Sequence, residues 1–237
     1  MTRKVCIVGI SGKLGQYMLK HALARGYQVT GVCRPESIGK LDAYRQKVTL
    51  FPGRTDDAAV VARAVQGCDA VLSVMAPWGI TDYASGTARA VLDAAPKEAR
   101  LIFSCGWHIS IDRKDRYSIG LRLIVSVVGR IARWVRFADL DDQVRAFDLI
   151  FASQRKWTAV RGSSLEEGPS QGLPIWRDRA HDPALSSDIM RRTDFAEFMV
   201  AAIENDELIQ KAPALVSRTS KSAMANRLPQ DVVAGLS

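Results

Sequence analysis

A glycine-spaced turn near the start of the chain constrains its fold more than any other feature. Lys4–Val8 is rich in β-branched residues and predicts one buried strand. From Lys13 to Arg25 apolar residues recur at helical intervals, and Gln28–Cys33 predicts a second apolar strand. Between the first strand and this helix lie three glycines at three-residue spacing, Gly9, Gly12 and Gly15. The order strand, glycine turn, helix and strand predicts a βαβ unit.

Each glycine of this turn has a physical role. The first allows a sharp turn off the strand, the second lets a pyrophosphate approach the backbone, and the third lets the helix pack close to the sheet. Free N–H groups at the start of the helix then face the phosphates. Glycine turns also occur as plain structure, but the flanking strand and helix favour dinucleotide binding here.

The residues after the second strand indicate which dinucleotide is bound. An NAD site usually has a carboxylate there for the ribose 2′-hydroxyl, whereas an NADP site has an arginine near the 2′-phosphate. Here Cys33, Arg34 and Pro35 come first, and the nearest acidic residue is Glu36. Lys13 adds a cation within the glycine turn. The alternative for Arg34 is a solvated strand end, but the pattern favours NADP(H) over NAD(H).

The composition suits one folded domain. Of the 237 residues 47% are hydrophobic, and neither a linker-like segment nor a repeat divides the chain. We therefore interpret 1–237 as a single domain, with substrate-side elements mainly at 105–138 and 162–192. The net charge of +8 comes mainly from scattered arginines and suits an anionic cofactor. Because no Lys/Arg block is interleaved with aromatic residues, nucleic-acid binding is not expected.

Cysteine spacing and hydropathy bear on the compartment. The cysteines show neither CxxC nor Cys/His ligand spacing, so we expect reduced, buried thiols and no metal site. They are Cys6, Cys33, Cys68 and Cys105. Met1–Gly9 leads directly into the first strand and is too short for a cleavable signal, and arginines interrupt the best apolar run. We expect a cytoplasmic protein without stable membrane insertion.

Strands and helices alternate along the rest of the chain. Strands are predicted at Lys47–Phe51, Asp69–Met75, Arg100–Ser104, Trp157–Arg161 and Ala214–Ser217. Helices are predicted at Asp56–Gln66, Tyr83–Ala95, Tyr117–Lys156 with a break around Phe137–Asp142, and Thr193–Asn205. We expect Gly162–Asp188 to be a loop-rich cap and the tail from Lys221 to be poorly ordered. The alternation predicts an α/β fold of the Rossmann type, a doubly wound parallel sheet with helices on both faces.

Five phrases at the predicted strand ends resemble one family: VGISGKLG, GVCRPESIGKL, GCDAVLSVMAP, RLIFSC and WTAVRGSSLEEGP. They are similar to the atypical short-chain dehydrogenase/reductases of the NmrA-like and flavin/biliverdin-reductase-B-like NAD(P)H-binding group. The resemblance runs from about Lys4 to Thr219. It implies cofactor contacts from the glycine turn and the strand ends, namely Gly9, Ser11, Gly12, Lys13, Leu14, Gly15, Arg34, Arg54, Met75, Ala76 and Ser104.

The chain departs from the family pattern at three places. The Tyr-x-x-x-Lys pair of ordinary short-chain reductases is absent, because Leu121 occupies the lysine position after Tyr117. The family's Gly-Asp after the third strand is Gly-Arg here, which removes the adenine-side carboxylate and places Arg54 where it could contact a 2′-phosphate. The family's Arg-Pro after the sixth strand is Arg161 followed by Gly162, which is expected to loosen that turn.

Candidate catalytic residues follow the fifth strand. Ser104 matches the family's serine position and is expected to bind a substrate oxygen. His108 can exchange a proton near neutral pH, although a structural loop histidine is the alternative. Asp142 is the candidate carboxylate, with helix capping as its alternative. Trp78 and Trp107 are expected in the pocket wall or the core, and Cys105 would be nucleophilic only with a lowered pKa.

The segment Tyr117–Arg136 is predicted to be a basic amphipathic helix. Such a helix can lie on a membrane surface, but packing over the substrate pocket or on a second subunit is favoured. The sequence is thus compatible with a monomer or a homodimer.

Together these features predict an NADPH-dependent oxidoreductase acting on a small, cyclic or aromatic metabolite. Two other functions remain open on the same fold. One is a redox-neutral isomerase or cyclase with acid/base catalysis, and the other is a non-catalytic NADP(H)-binding regulator of the NmrA type.

Overall fold

The fold is that of a computed structural model, which describes residues 2–75, 82–111, 140–186, 189–229 and 231. The strands of these residues are β1 (Lys4–Val8), β2 (Gln28–Cys33), β3 (Val48–Pro52), β4 (Ala70–Val74), β5 (Arg100–Gly106), β6 (Lys156–Gly162), β7 (Ser164–Glu166), β8 (Ile175–Arg177), β9 (Ile189–Arg191) and β10 (Ala214–Val216). The α-helices are α1 (Lys13–Ala24), α2 (Ala58–Val65), α3 (Tyr83–Ala94), α4 (Leu140–Ala152), α5 (Arg192–Ala201) and α6 (Lys221–Ala225). Segments of 3₁₀ helix span Pro35–Tyr44, Pro183–Leu185 and Asp206–Leu208.

Eight of the ten described strands build one sheet in the order β3-β2-β1-β4-β5-β6-β10-β8. Neighbours from β3 to β10 run parallel, and only the edge strand β8 is antiparallel to its neighbour among these described strands. The strand order reverses between β1 and β4, which opens a crevice at the carboxyl ends of the strands. The Rossmann-type α/β fold predicted from the sequence is therefore confirmed.

Alternating side chains of the parallel strands supply two separate cores. In β1, Cys6 and Val8 belong to the core under α2, α3 and α4, whereas Val5 and Ile7 belong to the core under α1 and α5. A strand covered on both faces needs apolar residues at every position, which explains the continuous apolar run in the sequence. Helices thus cover both faces of the sheet.

The carboxyl-terminal segment differs from the prediction. The tail from Lys221 begins with α6, in which Ala223 is buried. Asp231 forms a buried ion pair with Arg177 of β8, with an Oδ2 to Nη2 distance of 2.7 Å. The expectation of a poorly ordered tail was wrong for the residues described, because this ion pair and the apolar contact of Ala223 anchor them to the sheet edge.

The cap segment also contains more regular structure than predicted. The loop-rich Gly162–Asp188 includes β7, β8 and a 3₁₀ turn at Pro183–Leu185. Strand β7 pairs in parallel with β9 in a separate small sheet. Short strands without strong periodicity were not recognisable in this segment, because each has only three residues.

Among the described residues, none of the helices combines the length and apolar character needed to cross a bilayer.

Candidate active site

The glycine turn after β1 has the geometry of a phosphate cradle. Gly9 has a φ of +88°, a left-handed backbone conformation that favours glycine. Gly12 stands at the N-cap of α1, where no side chain caps the helix. The first-turn N–H groups of α1 have no intrahelical acceptor and are therefore available to an anion. A Cβ on Gly15 would lie 2.3 Å from the Gly9 carbonyl oxygen, so this glycine is required for close packing of the helix.

A cavity of about 650 Å³ extends from this turn along the ends of β2 and β3. Its wall includes Gly9, Ser11 and Gly12 on one side and Val74 and Tyr83 on another. Arg34, Lys40 and Arg54 bring three positive charges to the same cavity. The structure thus brings together the glycine turn and both arginines that the sequence predicted, and it adds Lys40 and Tyr83.

The two arginines of this cavity are held differently. Arg34 contacts the Glu36 carboxylate at 3.3 Å, and both side chains are more than half exposed. Arg54 makes a two-pronged ion pair with Asp56, with N to O distances of 2.8 and 2.7 Å. Its guanidinium also lies 5.4 Å from the centre of the Tyr83 ring. Arg54 is therefore held in place beside the cavity. Arg34 can exchange its exposed contact with Glu36 for a contact with a bound anion.

Lys13 does not line this cavity. It is exposed and is one of the cations that lower the pKa of Glu167, an effect led by Arg192. Lys13 is thus not placed beside Arg34 and Arg54 in this cavity wall, and Leu14 lines a second cavity.

The second cavity has a volume of about 240 Å³ and lies at the carboxyl ends of β4, β5 and β6. Ser104 and His108 both line it, as the sequence predicted, together with Met75 and Leu14. The Ser104 Oγ accepts a hydrogen bond from the Met75 N–H at 3.2 Å. Because this bond uses an oxygen lone pair, the Ser104 hydroxyl hydrogen is left to donate to another group.

His108 folds back over the end of β5. A Cβ on Gly106 would lie 2.6 Å from His108 Nδ1, so the imidazole packs directly on that glycine. Burial lowers the pKa of His108, and a weaker opposing effect of Gln143 raises it. The imidazole is consequently neutral at pH 7 and becomes protonated only at more acidic pH.

The cysteines are not nucleophiles in this structure. All four are free and buried. Burial raises the pKa of Cys6 to about 12 and raises that of Cys105 further, so neither forms a thiolate at neutral pH. The lowered pKa that a nucleophilic Cys105 would require is thus contradicted.

The Asp142 carboxylate is bound by backbone N–H groups and does not line the second cavity. Its buried carboxylate accepts hydrogen bonds from the backbone N–H groups of Ala84 at 2.6 Å and Ser85 at 3.3 Å. It also pairs with Arg145 at 3.3 Å. Asp142 therefore acts as a helix cap, as the alternative interpretation proposed. The helix that it caps is the neighbouring α3 and not α4, to which it belongs. The geometry does not support Asp142 as a catalytic carboxylate.

Gln143 is the residue of this site that sequence reasoning missed. It is 2% exposed, lines the second cavity and donates from Nε2 to the Met75 carbonyl oxygen at 2.5 Å. The signal was present, because Gln143 interrupts an apolar helical stripe with Phe147 and Ile150. A polar residue at such a position indicates a specific buried partner.

Arg161 and Trp107 both have structural contacts. Arg161 is 2% exposed and its guanidinium donates to the carbonyl oxygens of Ala212, Ile109 and Asp178. These bonds tie β6 to three other segments of the chain but do not involve the turn after β6, so its expected loosening stays a prediction. Trp107 does not line the second cavity but packs on the small core around Ile175 and Val216. Ala76, Trp78 and the Tyr117–Arg136 segment lie outside the described residues.

The fold and the glycine cradle define a class, the dinucleotide-binding proteins of the Rossmann type. The NAD(P)H-binding family matches residues 9–206. The chain belongs to this NAD(P)H-binding family, and its resemblance to atypical short-chain dehydrogenase/reductases is confirmed. At the level of the family, the prediction of NAD(P)H binding is confirmed.

Similar solved structures share the whole fold. ChuY, an anaerobilin reductase from Escherichia coli O157:H7, is 24% identical with a TM-score of 0.68 over 92% of this chain and 98% of that one. The oxidoreductase YlbE from Lactococcus lactis is 18% identical with a TM-score of 0.69 over 94% and 96%. A short-chain dehydrogenase/reductase from Veillonella parvula in complex with NADP is 12% identical with a TM-score of 0.66 over 91% and 94%.

Similarity to curated proteins is more local. Cinnamoyl-CoA reductase 1 of Oryza sativa subsp. japonica is 32% identical over 79 residues, which are 31% of this chain and 23% of that protein. Cinnamoyl-CoA reductase 2 of Arabidopsis thaliana is 27% identical over 113 residues, 42% of this chain and 34% of that protein. The matched regions thus span about a quarter to a third of these relatives.

Proposed function

We propose that this protein is an NADPH-dependent reductase of a small, cyclic or aromatic carbonyl compound. The observation that carries the proposal is that Ser104 and His108 line one cavity at the carboxyl ends of β4, β5 and β6. Leu14, in the first turn of α1 next to the glycine cradle, also lines that cavity. NADPH, when bound, supplies a hydride, and the chain must supply an oxygen ligand and a proton.

Ser104 is suited to the first of these tasks. Its Oγ accepts from the Met75 N–H, so the hydroxyl hydrogen can donate to a substrate oxygen. A donor held in this way stabilises negative charge that develops on a carbonyl oxygen during hydride addition. Because the backbone of β4 holds the serine, little reorganisation is required when substrate binds.

His108 is suited to the second task. The chain lacks the Tyr-x-x-x-Lys pair, so the proton must come from another residue or from solvent. His108 lies in the same cavity as Ser104, and its pKa is below the ordinary value because of burial. A reaction that uses protonated His108 as acid is therefore expected to accelerate as the pH falls below 7 toward this pKa.

NADP(H) is favoured over NAD(H) by the charges of the larger cavity. Arg34, Lys40 and Arg54 together bring three cations to the end of β2, where Glu36 is the acidic neighbour. A 2′-phosphate placed there gains charge-assisted hydrogen bonds that a 2′-hydroxyl cannot make.

NADPH consumption with a panel of quinones, flavins and ketones tests the proposal. His108→Ala is expected to lower turnover by about 10²-fold or more with NADPH affinity nearly unchanged, as for loss of a general acid. Ser104→Ala is expected to cost less, since it removes one hydrogen bond to the developing oxyanion. Asp148→Ala, an exposed change on α4, serves as the control.

Two results would replace the proposal. Wild-type turnover in His108→Ala would make solvent the proton source. If no compound consumed NADPH while ligands still altered cofactor affinity, the redox-neutral or regulatory function would be the better description.

A further inference from the structure

The orientation of the Gln143 amide is set by its partner. The Met75 carbonyl oxygen can only accept a hydrogen bond, so the Gln143 nitrogen must face it, at 2.5 Å. The Gln143 Oε1 then points away from Met75. This oxygen is fully enclosed and has no hydrogen-bond partner among the described residues. An enclosed acceptor without a donor is destabilising, so its presence beside a cavity calls for a donor nearby.

The candidate donor is His108, which lines the same cavity. Its Nε2 is likewise enclosed and without a hydrogen-bond partner among the described residues. Gln143 and His108 line the same small cavity. In agreement with this placement, Gln143 raises the pKa of His108 against the larger, lowering effect of burial. The other ring nitrogen, Nδ1, packs over Gly106, which also lines the cavity.

The charged groups around His108 are directed elsewhere. The Asp142 carboxylate binds the N–H groups of Ala84 and Ser85. The Arg161 guanidinium donates to the carbonyl of Ile109, and Cys105 is a neutral thiol because burial raises its pKa. Within the described part of the chain, burial and Gln143 are thus the causes that act on His108.

We propose that Gln143 is a positioning residue, whose Oε1 holds His108 in the form protonated at Nε2 and leaves Nδ1 as the nitrogen that exchanges a proton with a ligand in the cavity. An acceptor-only oxygen fits a ring N–H but not a ring lone pair. In the imidazolium both nitrogens carry hydrogen, and after Nδ1 gives its proton to a carbonyl oxygen the neutral ring keeps the hydrogen at Nε2. The use of that proton in reduction rests on the proposed function; the tautomer does not.

Histidine NMR on the cofactor-free protein tests the tautomer directly. Ring ¹⁵N and Cε1–H signals are followed from pH 4.5 to 8, with His21 and His181 as internal references. Wild-type His108 is expected as the Nε2–H tautomer with a pKa below 6.5. Gln143→Met removes the acceptor, so the pKa is expected to fall by roughly half a unit or more, and the preference for Nε2–H to be lost.

Gln143→Glu distinguishes the effect of losing the acceptor that faces His108 from the effect of losing the hydrogen bond to Met75. Both variants lose the donor to the Met75 carbonyl, but only glutamate keeps an oxygen facing His108 and adds a negative charge. The pKa of His108 is therefore expected to rise by about a unit or more in this variant. Gln28→Leu, an exposed change at the start of β2, controls for loss of a glutamine elsewhere.

An Nδ1–H tautomer in the wild type, or a His108 titration that is the same in all three proteins, would overturn the proposal. If Gln143→Met does not fold, the wild-type tautomer and the upward shift in Gln143→Glu still decide it. These outcomes do not depend on turnover, so they are distinguishable from a failure of the reductase function.

In an active preparation the same variants give a second readout. Turnover is expected to be highest at acid pH and to fall as His108 loses its proton. The pH of half-maximal turnover is expected to be lower in Gln143→Met and higher in Gln143→Glu than in wild type, with the KM for NADPH unchanged. A uniform loss of rate without a shifted profile would indicate a merely structural role.

Discussion

The side-chain amide of Gln143 donates a hydrogen bond to the backbone carbonyl of Met75 at 2.5 Å, which ties the start of α4 to the end of β4. The N–H of the same Met75 binds the Ser104 Oγ at 3.2 Å. One backbone unit therefore orients two polar side chains that line the smaller cavity. This arrangement links the catalytic proposal to the fold, since a displaced Met75 would misplace both groups.

The glycines of the turn are expected to differ in what their substitution costs. A Cβ on Gly15 would lie 2.3 Å from the Gly9 carbonyl oxygen, whereas a Cβ on Gly12 would lie 3.4 Å from the same oxygen, an ordinary contact distance. Gly15→Ala should therefore destabilise the fold. Gly12→Ala should fold with a nearly unchanged Tm but bind NADPH about tenfold more weakly or worse, ~1.4 kcal/mol, because the methyl group occupies phosphate space.

Thermal unfolding and NADPH titration of both variants make this check. A stable Gly15→Ala protein, or unchanged NADPH affinity in Gly12→Ala, would contradict the assigned roles of the turn.

Arg34 is expected to carry much of the preference for NADPH over NADH. Its exposed contact with Glu36 at 3.3 Å competes with a 2′-phosphate for the guanidinium. Arg34→Ala should therefore reduce the ratio of the two affinities by about tenfold, within the range of a charge-assisted hydrogen bond. Glu36→Gln should increase the ratio, because it frees the arginine and removes a repelling charge.

Titration of both cofactors against the two variants measures these ratios. Arg45→Ala, on an exposed ion pair outside the cavity, is the control. Equal NADPH and NADH affinities in the wild type would refute the charge argument.

Asp142 is expected to stabilise the fold through the start of α3. Its carboxylate accepts from the N–H groups of Ala84 and Ser85, so Asp142→Ala leaves these donors unpaired. The loss should be about 1–2 kcal/mol, the range for removal of a helix cap. Urea unfolding measures it, with exposed Asp148→Ala on the same helix as the reference. A free energy of unfolding equal to that of the reference would show that the cap contributes little.

The ion pair between Asp231 and Arg177 is expected to make stability depend on acid pH. Arg177 lowers the pKa of Asp231 below its ordinary value of 3.8. A carboxyl with a depressed pKa contributes stability at pH values above its unfolded pKa, and the contribution is lost as the pH falls through the folded pKa. Asp231→Asn should thus lower the Tm at pH 6 and reduce the difference in Tm between the variant and wild type below pH 4.

Melting curves between pH 3 and 7 decide this point. A difference in Tm between wild type and Asp231→Asn that stays constant across this pH range would show that the ion pair is not the origin of the acid dependence.

Much of the fold could be predicted from local patterns. The βαβ unit of the first thirty residues was recognisable because β1 is apolar at every position, the glycines have fixed spacing and α1 has helical periodicity. Boundaries moved by only one or two residues for most elements; β5, for example, continues to Gly106 instead of ending at Ser104. The buried tail could not be predicted, because its anchor is an ion pair between Asp231 and Arg177, 54 residues apart.

The class of protein could be predicted from the sequence, because a glycine turn between a strand and a helix is a local feature whose physical meaning depends on few distant residues. The sequence also placed Ser104 and His108 at the same end of β5, because they are four positions apart in the chain. That Asp142 caps α3 and that Gln143 reaches Met75 became known from the folded structure alone. Those contacts join residues 58 and 68 positions apart, and the packing of helices on a sheet brings them together without any local signal.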